Sequence, residues 1–204
     1  MSKMSDKKII GITGSMGSGK SKVSEILKQW FPVTDCDGIN ECLLRKGNEG
    51  YCELIQKPYI SLLENGGINK LAMAQVMFAD AKIKKEVESI LHPLIFLKMN
   101  EWVQQQKSNV VFVEVPLLFE IEAQHRFDEI WCVVCSESIA LERLQAYRHI
   151  SNEQAKARLA TQMSVDEKIK RSDVIIYNDD SVEMLEKQIQ ERIEKEGFSA
   201  ERNM

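Results

Sequence analysis

The stretch that most constrains this chain is Gly11-Ile12-Thr13-Gly14-Ser15-Met16-Gly17-Ser18-Gly19-Lys20-Ser21, which directly follows the apolar pair Ile9-Ile10. Gly14, Gly19, Lys20 and Ser21 satisfy G-x-x-x-x-G-K-[ST], the pattern of a phosphate-cradling loop. Such a loop must stand between a buried strand and a helix. Its glycines turn backbone N–H groups inward around phosphate oxygens, and the helix N-terminus adds partial positive charge. Residues 8–13 read as the strand and residues 19–30 as the helix, with Val23, Ile26, Leu27 and Trp30 at helical spacing. Gly14, Ser15, Met16, Gly17, Ser18 and Gly19 would line the phosphates, Lys20 would reach the β and γ phosphates, and Ser21 would ligate Mg²⁺. The bland alternative is a glycine-rich turn with a solvated lysine.

The rest of the chain must supply partners for that strand. Residues 31–37 suggest a second short strand ending in two acids, Asp35 and Asp37. Val110–Val115 is the most β-like run and ends at Pro116. Residues 128–134 and 173–178 read as further strands, and helices are expected over 136–148, 151–162 (Ser151 as N-cap) and 181–196. Val182, Leu185 and Ile189 would form the apolar side of the last helix. Short apolar strands separated by helices imply an α/β fold with a parallel sheet. Between Gly38 and Ser108 the pattern is helical throughout, with turns at Gly47-Asn48, Lys57-Pro58 and Asn65-Gly66-Gly67. That block is too long for a plain crossover and reads as an inserted subdomain.

Composition narrows the function. With 204 residues and a net charge of −4, the balance argues against a dedicated nucleic-acid binder, whose usual footprint is a basic face. No apolar run approaches the roughly 18 residues of a membrane span, and residues 1–8 lack a signal-peptide core. Five scattered cysteines suit reduced thiols, so a cytoplasmic setting is expected. Cys132 and Cys135 form the one C-x-x-C; residues three apart on a strand face opposite ways, which argues against a shared metal.

A phosphate loop alone leaves the reaction open. Two fragments mimic a regulatory GTPase: Asp35-Cys36-Asp37-Gly38 as D-x-x-G and Asn69-Lys70-Leu71-Ala72 as N-K-x-D. The first begins only 14 residues after Ser21, and the second has Ala72 where a carboxylate must read guanine. A kinase fits better. Acids at the carboxyl end of a strand lie where ligands gather in open α/β sheets, and a carboxylate there can accept the proton of a substrate hydroxyl. Asp35 and Asp37 are candidates for that role, or else a solvated turn. Glu114 could hold Mg²⁺ through water, as could Asp35. Arg143, Arg148 and Arg158 could stabilise charge on a γ-phosphoryl group, Arg143 foremost, or form a solvated charged face. His125 and His149 have no partner at metal spacing, and Pro93, after His92, suits the first position of a helix.

These residues together resemble the dephospho-CoA kinase family. The similarity runs from about Lys8 to Ile189 and rests on residues 11–21, the acidic pair, residues 65–80, Ile90–Ile95, Val113–Glu120, residues 143–168 and 171–179. It implies a P-loop-type, three-layer α/β/α fold with a five-stranded parallel sheet, a helical insertion and a helical lid. The core would span 7–37, 109–140 and 172–196, a CoA-binding subdomain 38–108, and the lid 141–171. It further implies ATP-dependent phosphorylation of the ribose 3′-hydroxyl of dephospho-CoA, with Mg²⁺, by a monomer or weak homo-oligomer. Asp37 would be the general base, Lys20 and Arg143 would act on the phosphates, and Asp35, His92, Pro93 and Lys70 would meet the acceptor. Asn178 would lie near the ATP adenine. The chain departs from the family at Glu41 and Lys70, where arginines are usual, and at Tyr147-Arg148-His149, where Arg-Asp-Gly is usual.

Overall fold

The computed structural model describes residues 7–148 and 150–198, without the Arg148 side chain; His149 and that side chain, both singled out above, lie outside the described residues. In chain order the elements are β1 (Lys8–Gly14), α1 (Lys20–Leu27), β2 (Val33–Asp35), α2 (Cys36–Leu43), α3 (Glu49–Leu54), α4 (Lys70–Ala79), α5 (Ala81–Gln105), β3 (Val110–Glu114), β4 (Glu129–Val134), α6 (Glu137–Arg148), α7 (Asn152–Ala160), α8 (Val165–Lys170), β5 (Val174–Tyr177) and α9 (Val182–Glu196). They form two compact units, one of the described residues up to Asp35 and from Gln106 on, the other Cys36–Gln105. Among the described residues no helix is long and apolar enough to cross a membrane.

In the first unit the strands make one sheet, in the order β2-β3-β1-β4-β5, all parallel. The strands are continuous apolar runs because both faces are covered. Val23, Ile26 and Leu27 of α1 pack with Leu185, Ile189 and Ile193 of α9 against Ile10, Ile12, Phe112 and Trp131. The face carrying Gly11 is met by Leu118 and Phe127 from the segment after β3, so close that a Cβ on Gly11 would lie 2.9 Å from the Leu118 side chain. The chain leaves β1 toward β2 on one side, and β4 lies on the other. The carboxyl end of β1 is therefore a topological switch point, where ligands of open α/β sheets bind.

Two expectations change around this sheet, and one element comes into view that the sequence pattern does not place. Asp37 does not end a strand: β2 stops at Asp35 and Asp37 lies in the first turn of α2, where an acid favours the helix N-terminus. Val182 does not join the apolar stripe of α9, being 43% exposed, and Ile193 takes its place one period further on. Residues Val165–Lys170 form a helix that hydrophobic periodicity does not reveal, capped by Ser164 through the Glu167 N–H.

The second unit is helical and has its own core of Leu44, Tyr51, Leu54, Ile68, Met73, Val87 and Leu91. Gly47 and Gly66 turn the chain at two of the expected sites. Pro93 does not begin a helix. It sits inside the 25-residue α5, where its ring removes the N–H that would reach the Ser89 carbonyl.

Candidate active site

At the switch point the chain turns through Gly14–Gly19 into α1. Gly14 has φ 149°, and a Cβ there would lie 2.2 Å from the Val133 carbonyl oxygen. Gly19 has φ 93°, and a Cβ there would lie 2.0 Å from Asn178 Nδ2. Only glycine fits either place. No side chain caps α1 at Gly19, and a helix N-terminus that no side-chain oxygen occupies favours an anion. Lys20 is folded onto the loop, with Nζ donating to the Gly14 and Ser15 carbonyls, each at 3.0 Å. Ser18 Oγ is buried and finds no hydrogen-bond partner among the described residues.

Beside the loop, Glu114 ends β3 as register partner of Ile12 and Asp35. It is 8% exposed. Its Oε1 accepts from Ser21 Oγ at 3.3 Å and its Oε2 from Ser24 Oγ at 2.8 Å. No sequence motif marks Ser24; three residues after Ser21, it stands on the same face of α1. Hydroxyl and carboxylate oxygens are the hard donors that a small divalent cation takes.

Behind the loop, Asn178 Nδ2 donates to the Ser18 carbonyl at 2.8 Å, and its Oδ1 faces Arg143 at 3.5 Å. Arg143 also faces the Ser18 carbonyl at 3.5 Å. Asn178 is thus buried as a brace on the loop, joined to β4 through its own N–H to the Val134 carbonyl. Arg158 is exposed on α7. Gln162, which no sequence motif marks either, accepts the Met16 N–H at 2.9 Å. A cavity of about 530 Å³ opens between the loop (Ser15, Met16), the end of β4 and Leu159–Val165. Cys132 and Cys135 both line it; β4 stops at Val134, so strand alternation does not carry Cys135 to the opposite face. Burial pushes both thiols up, which keeps them protonated and poor metal ligands.

In the second unit, Asp37 is exposed on α2, two residues past the end of β2. Further along α2, Glu41 pairs with Lys70 at 3.3 Å. The two line a cavity of about 290 Å³ with Arg45 and Lys46, so three cations accompany one acid there. Asn69 caps α4 by accepting the Ala72 N–H at 3.1 Å, which accounts for the partial N-K-x-D match as a helix start. His92 is half-buried on α5 and Pro93 exposed beside it. Burial holds the His92 imidazole below its usual range, against the opposing charge of Glu88.

The dephospho-CoA kinase family matches residues 8–184. Among curated proteins, the dephospho-CoA kinase of Staphylococcus epidermidis is 34% identical over 94% of this chain and 96% of its own length. That of Staphylococcus aureus is 35% identical, covering 94% of each chain. Among solved structures, a Thermus thermophilus protein superposes with a TM-score of 0.82 at 30% identity, over 93% of this chain and 97% of its own. The dephospho-CoA kinase of Campylobacter jejuni gives 0.68 at 29% identity, over 93% and 96%. A shikimate kinase of Bacteroides thetaiotaomicron, at 15% identity and a TM-score of 0.51, shares the fold. With its phosphate loop, its parallel sheet and relatives matching along nearly their whole length, this chain belongs to the dephospho-CoA kinase family.

Proposed function

We propose that this protein transfers the γ-phosphoryl group of ATP to the ribose 3′-hydroxyl of dephospho-CoA, giving coenzyme A and ADP. The observation that carries the reading is the set of groups at the carboxyl end of β1 and β3: an uncapped helix N-terminus, Lys20 held on its own loop, and Glu114 shared by Ser21 and Ser24. Family membership supports the acceptor.

In this reading Lys20 exchanges its two loop carbonyls for β and γ phosphate oxygens, and the loop N–H groups other than that of Met16 cradle the rest. Ser18 Oγ gains a phosphate oxygen as a partner. Magnesium fits the donor set of Ser21, with Glu114 and Asp35 acting through water, and would supply charge neutralisation on the donor phosphates. Asp37 accepts the proton of the 3′-hydroxyl as the new O–P bond forms. The bond from the γ phosphorus to the bridging oxygen breaks, and its electron pair leaves with ADP. Arg143 stabilises negative charge on the transferred group, and residues 141–171 act as a lid that keeps out water. Lys70, Arg45 and Lys46 offer charge to an anionic acceptor, with Glu41 held by Lys70. His92 and Pro93 contact the acceptor, His92 as a neutral imidazole.

A coupled assay with dephospho-CoA, adenosine, AMP and CMP tests the reading. Turnover is expected with dephospho-CoA, and turnover with the other three alone would refute it.

A further inference from the structure

The structure assigns Gln162 as a positioning residue that holds the first half of the phosphate loop in shape for the nucleotide. This rests on the donor half of the proposed function, and not on the identity of the acceptor. Gln162 lies 146 residues from Met16 in sequence, yet its Oε1 accepts the Met16 N–H at 2.9 Å in a part-buried setting. Met16 sits between Gly14 and Gly17, both at positive φ. A segment with so little intrinsic preference for one conformation needs an outside constraint to hold one backbone shape.

Gln162 can supply that constraint because the segment carrying it is itself tied down. The next N–H, that of Met163, donates to Glu120 Oε1 at 3.0 Å, and the same oxygen accepts from Lys168 Nζ at 2.7 Å. Lys168 is fully buried and Glu120 follows β3, so the turn between α7 and α8 is fixed to the core by an ion pair with little access to water. Asn178 and Arg143 hold the later loop residue Ser18. Gln162 holds the earlier part. With both halves braced, the loop is held at two points, and ATP has less of its backbone to order.

Gln162→Met removes the acceptor at nearly constant volume and tests the assignment. Loss of one such hydrogen bond is expected to weaken ATP binding about tenfold, measured by calorimetry with ATP and magnesium. The KM for ATP should rise by a similar factor, while kcat and the KM for the acceptor stay within about twofold. Unchanged ATP affinity would overturn the assignment, as would a fall in kcat with every KM unchanged, which marks only loss of folded protein. One measurement needs no variant: the Met16 amide of the unliganded protein should exchange with solvent at least about tenfold more slowly than an unprotected amide, and unprotected exchange would also overturn it. If the parent enzyme phosphorylates no dephospho-CoA, the acceptor reading fails while calorimetry still decides the role of Gln162.

Discussion

Asp37 and Asp35 stand two residues apart and have different surroundings. Asp35 is half-buried at the end of β2 opposite Glu114, whereas Asp37 is exposed on the first turn of α2. An exposed acid can meet a substrate hydroxyl, which favours Asp37 as the base. Asp37→Asn should lower kcat by about 10² or more with ATP affinity nearly unchanged; full activity in a steady-state assay would remove Asp37 from that role. His92 titrates with a definite sign. Its folded-state pKa is depressed by burial, so the unfolded chain takes up the proton first. Stability is fully present above the unfolded value of about 6.5 and falls as the pH drops through the folded value. Urea unfolding at about pH 7.5 and about pH 5.5, on either side of that unfolded value, should show the loss, and His92→Gln should reduce it. At this scale the glycines, Lys20 and Ser21 are legible in the sequence because a local backbone shape dictates them. Ser24, Asn178 as a brace and Gln162 are not, since each depends on where a distant segment lands: Asn178 meets a carbonyl 160 residues away.

Elements with a strong local pattern are legible too. The five strands fall within a residue or two of where apolar runs and Pro116 place them, and Ser151 forms a full capping box with Gln154. Helix α8 escapes the pattern, although Ser164 and Glu167 stand at capping-box spacing, because six residues are too few to show periodicity. The rule that proline begins or ends helices misplaces Pro93. Tertiary packing of Val87, Leu91, Phe96, Met99 and Val103 along α5 carries the helix through it. Pro93 is among the residues proposed to contact the acceptor. Pro93→Ala should restore the bond to the Ser89 carbonyl and stabilise the protein by about 1–2 kcal/mol after the added freedom of the unfolded chain is counted, seen as a higher Tm. The KM for the acceptor should rise in the same variant; an unchanged KM would leave Pro93 without a part in binding.

For the whole molecule, the groups proposed for the donor and most of those proposed for the acceptor fall in different units, Asp35 alone of the acceptor set lying in the first. The groups proposed for ATP lie at or before Asp35 and beyond Gln106, while Asp37, Lys70, His92 and Pro93 belong to Cys36–Gln105. Each unit has a core of its own, so each can open locally with its own free energy. A ligand stabilises the state it binds by RT ln(1 + [L]/Kd), about 2.7 kcal/mol at 100 times Kd, and that protection appears only in amides whose opening breaks the site. ATP with magnesium should therefore slow exchange in β1, the phosphate loop and residues 162–168, and leave the amides of Val87 and Leu91 nearly unchanged. Dephospho-CoA alone should do the reverse. Hydrogen exchange followed peptide by peptide, with each ligand at about 100 times its Kd, measures both patterns. Uniform protection across both units by ATP alone would mean that the molecule opens as one cooperative body, and the assignment of donor and acceptor to separate units would then have to be abandoned.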